Sequence, residues 1–268
     1  VSDDPTRFID ANRSVWDDWT EKGDSPAFYK LERFRAGAQV LQPFEIEEIG
    51  SVEGKSLLHL QCHFGMDTMA WARKGAIATG VDFSDKSIEF GRKVASELGI
   101  DVTLVSSDVY GLPDALDGKF DIVYTSFGVL AWMPDLPRWA SVIDHFLKPG
   151  GTFYVAEYHP FPLVFEESDS IQEPRIKHRY FPTTEPQVWS GEEVNEDFVV
   201  YGWPYTLGDV VSSLAGVGLR IDFLHEFPFS ESPHVDFLVQ GQDGTWRLPP
   251  ELEGHLPLVF SVKATKPG

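Results

Sequence analysis

Between Lys55 and His159, short apolar runs alternate with stretches of helical spacing, and this alternation leaves the chain few architectures. SLLHL (56–60), AIATGVDF (76–83), VTLVSSD (102–108), FDIVYTSF (120–127) and TFYVAEYH (152–159) have the length and content of buried strands. MDTMAWARKG (66–75), SDKSIEFGRKVASELG (84–99) and LPRWASVIDHFLKPGG (136–151) read as the helices between them. Ile88, Gly91, Ala95 and Leu98 share one face of the second helix. Trp139, Val142, Ile143, Phe146 and Leu147 form a stripe on the third. Ser84 can cap the start of the second helix and Gly99 its end, and Gly75 can stop the first. Strands separated by helices predict an α/β fold, a parallel sheet with helices on both faces and right-handed crossovers. Ligands of such sheets bind at the carboxyl ends of the strands, near the switch point in strand order. The residues just past each strand are therefore the candidates.

The flanking segments read differently. RFIDANRSVWDDWTEKG (7–23) places Phe8, Val15, Trp16 and Trp19 at helical spacing, and 24–54 continues as helix and loop with Pro43 and Gly54 as breakers. Residues 1–54 are thus an expected N-terminal helical cap on a domain spanning 55–268. Past residue 159 the alternation lapses through Pro160, Pro162, Pro174, Pro182 and Pro186, before the β-like FVVYGWPYTL (198–207). A helix over LGDVVSSLAGVG (207–218), a strand over LRIDFLHEF (219–227) and a hairpin over FLVQGQDGTWRL (237–248), turning at Asp243-Gly244, follow. LPLVFSVKAT (256–265) is the last strand. Segments 160–206 and 228–255 read as insertions. Phe161, Phe165, Tyr180, Phe181, Trp189, Trp203 and Tyr205 suit a lid over a site; decorative loops are the alternative.

Composition excludes several classes of partner. The 268 residues are 42% hydrophobic, enough for a sizeable core, and carry a net charge of −20. Such a surface repels phosphate backbones, and the densest basic run, RIKHRY (175–180), is short, so nucleic acid is an unexpected partner. No apolar run reaches the length of a membrane span, and the acidic, polar VSDDPTRFIDANRS does not read as a secretory signal. The single cysteine, Cys62, excludes an intramolecular disulfide and a multi-cysteine metal site. These features point to the cytoplasm. Cys62-His63 lacks the second cysteine or HxxxH spacing of a metal site, so no metal is expected.

The stretch LLHLQCHFGMDT (57–68) lies where a nucleotide-binding sheet keeps its glycine-rich turn, yet only Gly65 is a glycine; Gln61, Cys62 and His63 fill the other positions. Asp82 ends the second strand roughly twenty residues on, where a carboxylate can accept from both ribose hydroxyls of an adenosine ligand. Asp108 ends the third strand, where a carboxylate can accept from the adenine amine.

With these residues in place, the segment from Ser56 to His159 resembles a class I S-adenosylmethionine-dependent methyltransferase. LLHLQCHFG resembles that family's glycine-rich first motif, VDFS its ribose motif, SSDV its adenine motif and LKPGG its turn before the fifth strand. LRIDFLHEF and LPLVFSVKAT resemble the strand pair that closes its sheet. The resemblance implies a Rossmann-like, doubly wound seven-stranded sheet, parallel with one antiparallel strand, whose N-terminal helix and insertions serve as lid and substrate elements. It implies S-adenosylmethionine as cofactor and a small-molecule acceptor as partner. It places Gln61, His63, Gly65, Asp82, Phe83, Ser84, Asp108, Val109 and Ser126 at the cofactor. A dinucleotide needs several glycines so that backbone amides can approach a pyrophosphate. S-adenosylmethionine carries no phosphate, so polar side chains such as Gln61 and His63 become useful there. Many members of the family have an acidic residue at the place of His59, to hold the cofactor's ammonium. His59 cannot do so if protonated, which points to a backbone carbonyl near Tyr124–Ser126; a core histidine is the other reading.

Methyl transfer needs the acceptor near attack distance and water excluded, with a general base only where the acceptor holds its proton. In SFGVLAWMPD (126–135), Ala131 and Trp132 stand where many small-molecule methyltransferases carry a histidine pair. His159 is then the nearest expected base, or a residue that orders the loop beside Pro160. Trp132, Tyr158 and Tyr124 can face the sulfonium or an apolar acceptor, with a core role open for Tyr124. An NAD-dependent oxidoreductase on a similar sheet and a non-catalytic cofactor-binding protein are the competing functions.

Overall fold

SLLHL folds as β1 (Ser56–Leu60), and its last four residues are all buried, as a central strand covered on both faces requires. β2 (Ile77–Asp82) lies parallel on one side of it and β4 (Phe120–Thr125) parallel on the other. β3 (Thr103–Ser106) extends the sheet beyond β2, and β5 (Leu147–Tyr158) beyond β4. The computed structural model describes residues 6–23, 29–165, 175–183, 185–189 and 199–268. Two late strands, β8 (Arg220–Phe227) and β12 (Val259–Thr265), complete seven strands in the order β3-β2-β1-β4-β5-β12-β8. β12 runs antiparallel to both of its neighbours, and the remaining strands are parallel to one another. Strand order reverses between β1 and β4, which puts the switch point at their carboxyl tips.

The period of two in the strands sorts their side chains into two cores. Leu58, Leu60, Val123, Phe153 and Val155 face one layer, where α6 (Leu112–Ala115) adds Leu112, α7 (Leu136–Phe146) adds Trp139, Ile143 and Phe146, and α8 (Leu207–Gly216) adds Val210 and Leu214. Leu57, Ile122, Tyr124 and Tyr154 face the other. There α4 (Met66–Arg73) supplies Met69 and Trp71, and α5 (Asp85–Leu98) supplies Val94 and Ala95. The helix expected over 136–151 stops at Phe146, because Pro149 has no N–H to donate and Gly150 adopts a φ of 76°; Leu147–Gly151 already belongs to β5. Pro43, expected to break a helix, opens one. It heads α3 (Pro43–Ile49), where the missing N–H has no intrahelical partner to lose.

The remaining elements gather over the carboxyl edge. α1 (Thr6–Glu21) lies against α5: Asp17 accepts from the Ser84 hydroxyl at 2.6 Å, and Thr20 Oγ1 lies 2.8 Å from Ser87 Oγ. Asn12 trades two hydrogen bonds with the Tyr201 backbone, at 2.8 and 2.9 Å, tying α1 to β7 (Val200–Gly202). β6 (Gln187–Trp189) pairs with β7, and α2 (Leu31–Arg35) buries Leu31 and Phe34 against the second core. The expected hairpin forms with Gly244 at its turn, between β10 (Val239–Gln240) and β11 (Trp246–Arg247), and β9 (Phe229–Ser230) pairs beside β11. Pro174, Phe198 and the Trp189 side chain, all named above, lie outside the described residues. Among the described residues, no helix is long and apolar enough to cross a membrane.

One close approach fixes where the turn after β1 sits. A Cβ on Gly91 of α5 would lie 2.1 Å from the Phe64 carbonyl oxygen, so only glycine lets the helix meet the turn. Gly91→Ala is expected to destabilise the protein by at least about 1–3 kcal/mol. A urea midpoint unchanged from the parent would refute this contact.

Candidate functional site

The chain leaves β1 through three residues in left-handed conformation, Gln61 (φ 52°), His63 (φ 53°) and Gly65 (φ 79°). Glycine enters that region freely; for another residue it costs roughly 1–3 kcal/mol. Gln61 and His63 thus hold glycine conformations with full side chains, and their contacts offset the strain. Gln61 Nε2 lies 3.0 Å from Met133 Sδ, and its Oε1 accepts weakly from Thr125 Oγ1 at 3.4 Å. The His63 ring packs among Trp16, Trp19 and Tyr29 at centroid distances of 5.1, 6.0 and 5.2 Å, with Nε2 3.3 Å from Thr20 Oγ1. Burial holds its pKa down near 3, so the ring is neutral. Cys62 packs with Ile88 and Leu104, and burial pushes its thiol up, away from the thiolate that a nucleophile needs.

The tips of β1 to β4 open on a cavity of about 930 Å³, near the top of the usual range of ~300–1,000 Å³ for ligand sites. Of the expected site residues, Gln61, His63, Asp82, Phe83, Asp108 and Val109 line it, as do Ser126, Trp132 and Tyr158. Gly65, Ser84 and His159 are not among the residues lining it. Ser84 is fully buried as the N-cap of α5, accepting from Ser87 N at 3.0 Å while donating to Asp17. His159 Nδ1 accepts from Phe161 N at 3.1 Å, and Nε2 lies 3.0 Å from Glu226 Oε1, too bent for a good hydrogen bond. Burial outweighs Glu226 and lowers the His159 pKa. His159 thus contacts the backbone just past Pro160.

Both strand-tip carboxylates are already held by backbone. Asp82 Oδ2 accepts from His63 N at 2.7 Å and Oδ1 from Ser84 N at 2.9 Å. Burial outweighs these bonds and raises Asp82 to about 6. Asp108 Oδ1 accepts from Tyr110 N at 2.9 Å and Gly111 N at 3.1 Å, and no described residue donates to its second oxygen.

Three further carboxyls escaped the sequence reading. Asp67, two residues past Gly65 in the first turn of α4, lines the cavity; burial raises it to about 6, opposed by a hydrogen bond from Ser126. Glu157 accepts from the backbone N–H groups of Gly128, Val129 and Leu130 at 2.6–3.0 Å, fixing the segment that carries Trp132. Glu231 lines the cavity and accepts from the Tyr158 hydroxyl at 2.5 Å, and burial raises it to about 7. Asp67 sits at a helix N-terminus, where an acidic residue is ordinary. Nothing along the chain ties Glu231 to a tyrosine 73 positions earlier. His59 is a buried, neutral histidine satisfied by side chains: Nδ1 lies 2.9 Å from Thr68 Oγ1 and Nε2 3.3 Å from Ser126 Oγ, and burial lowers its pKa to about 3.

A seven-stranded sheet of this order, with its cavity at the switch point, has the class I S-adenosylmethionine-dependent methyltransferase fold. Residues 57–151 match a protein-family model described as a methyltransferase domain, and this part of the chain is such a domain. The chain is 27% identical over 151 residues to the ubiquinone biosynthesis O-methyltransferase of Alkalilimnicola ehrlichii, covering 56% of this chain and 58% of that protein. It is 30% identical over 129 residues to the enzyme of the same name from Bordetella avium, covering 47% and 53%. The chain thus spans between half and three-fifths of the length of these two relatives. An S-adenosylmethionine-dependent methyltransferase from Mesorhizobium loti superposes with a TM-score of 0.60 at 21% identity, covering 86% of this chain and 99% of that one. The glycopeptide N-methyltransferase MtfA, in complex with S-adenosyl-L-methionine, superposes at 0.56 and 16% identity, covering 84% and 92%. These two likenesses establish the fold.

The two strained turn residues are expected to behave oppositely. Gln61→Gly should leave stability within about 1 kcal/mol of the parent, because relief of strain offsets two weak contacts. His63→Gly should cost about 1–3 kcal/mol, because the ring loses its aromatic neighbours. Chemical denaturation of both variants measures the contrast; equal effects would refute it.

Proposed function

We propose that this chain transfers a methyl group from S-adenosylmethionine to a small-molecule acceptor. The observation that carries the reading is the meeting of Asp82, Asp108 and the 61–65 turn on one cavity. The donor set fits an adenosyl group. Asp82 is pinned to receive ribose hydroxyls, Asp108 keeps an oxygen for the adenine amine, and Phe83 and Val109 supply apolar walls. The side chains at Gln61 and His63 take the place of the bare amides that a pyrophosphate needs, so a dinucleotide fits less well. When bound, S-adenosylmethionine supplies a methyl carbon activated by sulfonium. Gly65 shapes the turn, and Ser84 acts through the α5 cap and Asp17.

The chain's own work is to seat the acceptor and receive its proton. Trp16, Trp132 and Tyr158 give an apolar wall, with Trp16 and Trp132 in edge contact at 5.5 Å. Trp132 Nε1 donates to Gly128 O, and Glu157 holds the same segment, so the wall is rigid. Glu231 takes the role expected of His159. It faces the cavity, its acidity lies near neutrality, and Tyr158 donates to its charged form. An acceptor with an ionisable hydroxyl or ammonium is the matching chemistry, in keeping with the O- and N-methyltransferase names of the relatives. The acidic balance of the chain favours such a molecule over nucleic acid, and with the lone buried cysteine it makes the cytoplasm the proposed compartment.

Two measurements test the reading. Calorimetry with S-adenosylhomocysteine should show saturable binding that Asp82→Ala weakens at least tenfold, by roughly one charged hydrogen bond. Unchanged affinity would overturn the assignment. Once a metabolite panel yields an acceptor, kcat should rise with pH through about 7, because the Glu231 carboxyl must lose its proton to act. Glu231→Gln should lower kcat by roughly 10²–10⁴ and flatten that limb. A variant with the parent's kcat and pH profile would remove Glu231 from the chemistry.

A further inference from the structure

Charge is unevenly spread around the cavity. Among the described residues that line it, six carry carboxyls and two, Lys30 and Arg33, carry lysine or arginine charge. Both cations are exposed, whereas Glu45 and Asp82 are buried, so the cations mark the mouth of the cavity and acids its floor. The exposed carboxylate of the mouth, Asp243, is already committed: it pairs with Arg247 at 2.9 Å and accepts from Thr245 Oγ1 at 2.7 Å. The Lys30 and Arg33 side chains make no ion pair or hydrogen bond with any described residue, in a chain of 42 acidic and 22 basic residues. Acids are within reach of the same helix, since Arg35 holds both Glu32 and Glu97 at 2.9 Å.

Two further observations bear on this mouth. Gln39 also lines it, and its Oε1 accepts from Val40 N and Leu41 N, each at 3.0 Å. The oxygen is thus used locally, and Nε2 is left as a donor with no acceptor among the described residues. The Lys30 backbone is strained, with φ 55° and ψ 44°. Among the described residues, those other than glycine with positive φ are Lys30, Gln61 and His63, and all three line this cavity. Strain of this kind gathers at ligand sites, where the surrounding structure fixes it. Residues 30–39 therefore present positive charge and N–H donors. An acid group is the matching guest, because its oxygens accept from ammonium, guanidinium and amide alike. The carboxyls of the floor repel it from going deeper.

Resting on the function proposed above, we infer that Lys30, Arg33 and Gln39 receive an anionic acid group at the outer end of the methyl acceptor. The acceptor is then a bifunctional molecule, a hydroxy acid or an amino acid with an apolar middle. Its hydroxyl or amine lies inward at Glu231, its middle crosses Trp16 and Trp132, and its acid stays at the mouth. Charge sets the direction of entry, since a molecule arriving acid end first meets carboxyls.

A four-cornered binding experiment tests this before any acceptor is known. The probes are 8-anilinonaphthalene-1-sulfonate and N-phenyl-1-naphthylamine, which has the same rings and lacks the sulfonate. Fluorescence titration compares both on the parent and on the double variant Lys30→Gln/Arg33→Gln, each protein saturated with S-adenosylhomocysteine so that the cofactor's own carboxylate is already in place. Both substituted positions are exposed, so the fold is not at stake. The double variant should weaken the sulfonate probe about 3–30-fold, the range for two exposed charge pairs. The neutral probe should change less than twofold, and S-adenosylhomocysteine should bind both proteins within threefold by calorimetry. The inference is overturned if the sulfonate probe loses less than threefold, or if both probes lose equally. It is also overturned if S-adenosylhomocysteine displaces the sulfonate probe from the parent, or itself binds the variant more than threefold less tightly, because the cations then serve the cofactor. A parent that does not bind S-adenosylhomocysteine overturns instead the proposed function on which this inference stands.

Discussion

The hydrogen bond from the His63 backbone N–H to the Asp82 carboxylate is the contact on which the arrangement of the site depends. It joins the turn after β1 to the tip of β2 and holds His63 in its left-handed conformation. From below, Gly91 lets α5 press against the Phe64 carbonyl. From above, the aromatic residues of α1 close over the His63 ring. The turn is trapped between β2, α5 and α1. This explains how two residues with large side chains persist in a conformation that ordinarily selects glycine: the strain is local, and the packing that outweighs it comes from three separate elements.

The electrostatics of the cavity carry the same signature of tension. Glu45, Asp67, Asp82 and Glu231 are all raised by burial, within a chain whose net charge is already −20. Glu45 also feels Asp67 and Glu231, so these three share one neighbourhood. Backbone amides and the hydroxyls of Tyr124 and Tyr158 hold the individual groups, yet burial outweighs them in each case. A wall of this kind favours a guest with positive charge and tolerates an anion poorly. Topology places the cavity, and four buried carboxyls give its surroundings an acidic character.

Much of this was legible along the chain. β1 coincides with SLLHL, the carboxylates at the tips of β2 and β3 stand where strand ends place them, and the closing strands were marked by LRIDFLHEF and LPLVFSVKAT. These are local signals: periodicity, caps and turn residues. What stayed hidden depends on contacts between distant segments. Asp67 looks like an ordinary helix-start acid until the fold puts it in the cavity wall. Glu231 acquires a role only when Tyr158 reaches it. His159 drew attention through its place after a strand, but that strand's register turns its ring toward Glu226 and away from the cavity. Pro43, read as a breaker, separates two helices by opening the second, because a proline forbids a helix interior and suits a helix start.

Asp82 has one more consequence. Both of its oxygens already accept a backbone N–H, so its side-chain torsions are frozen when the protein folds. Each oxygen still has a lone pair to offer. A ligand arriving there gains hydrogen bonds without stopping a rotor, and the entropy of ordering that acceptor is charged to folding, not to association.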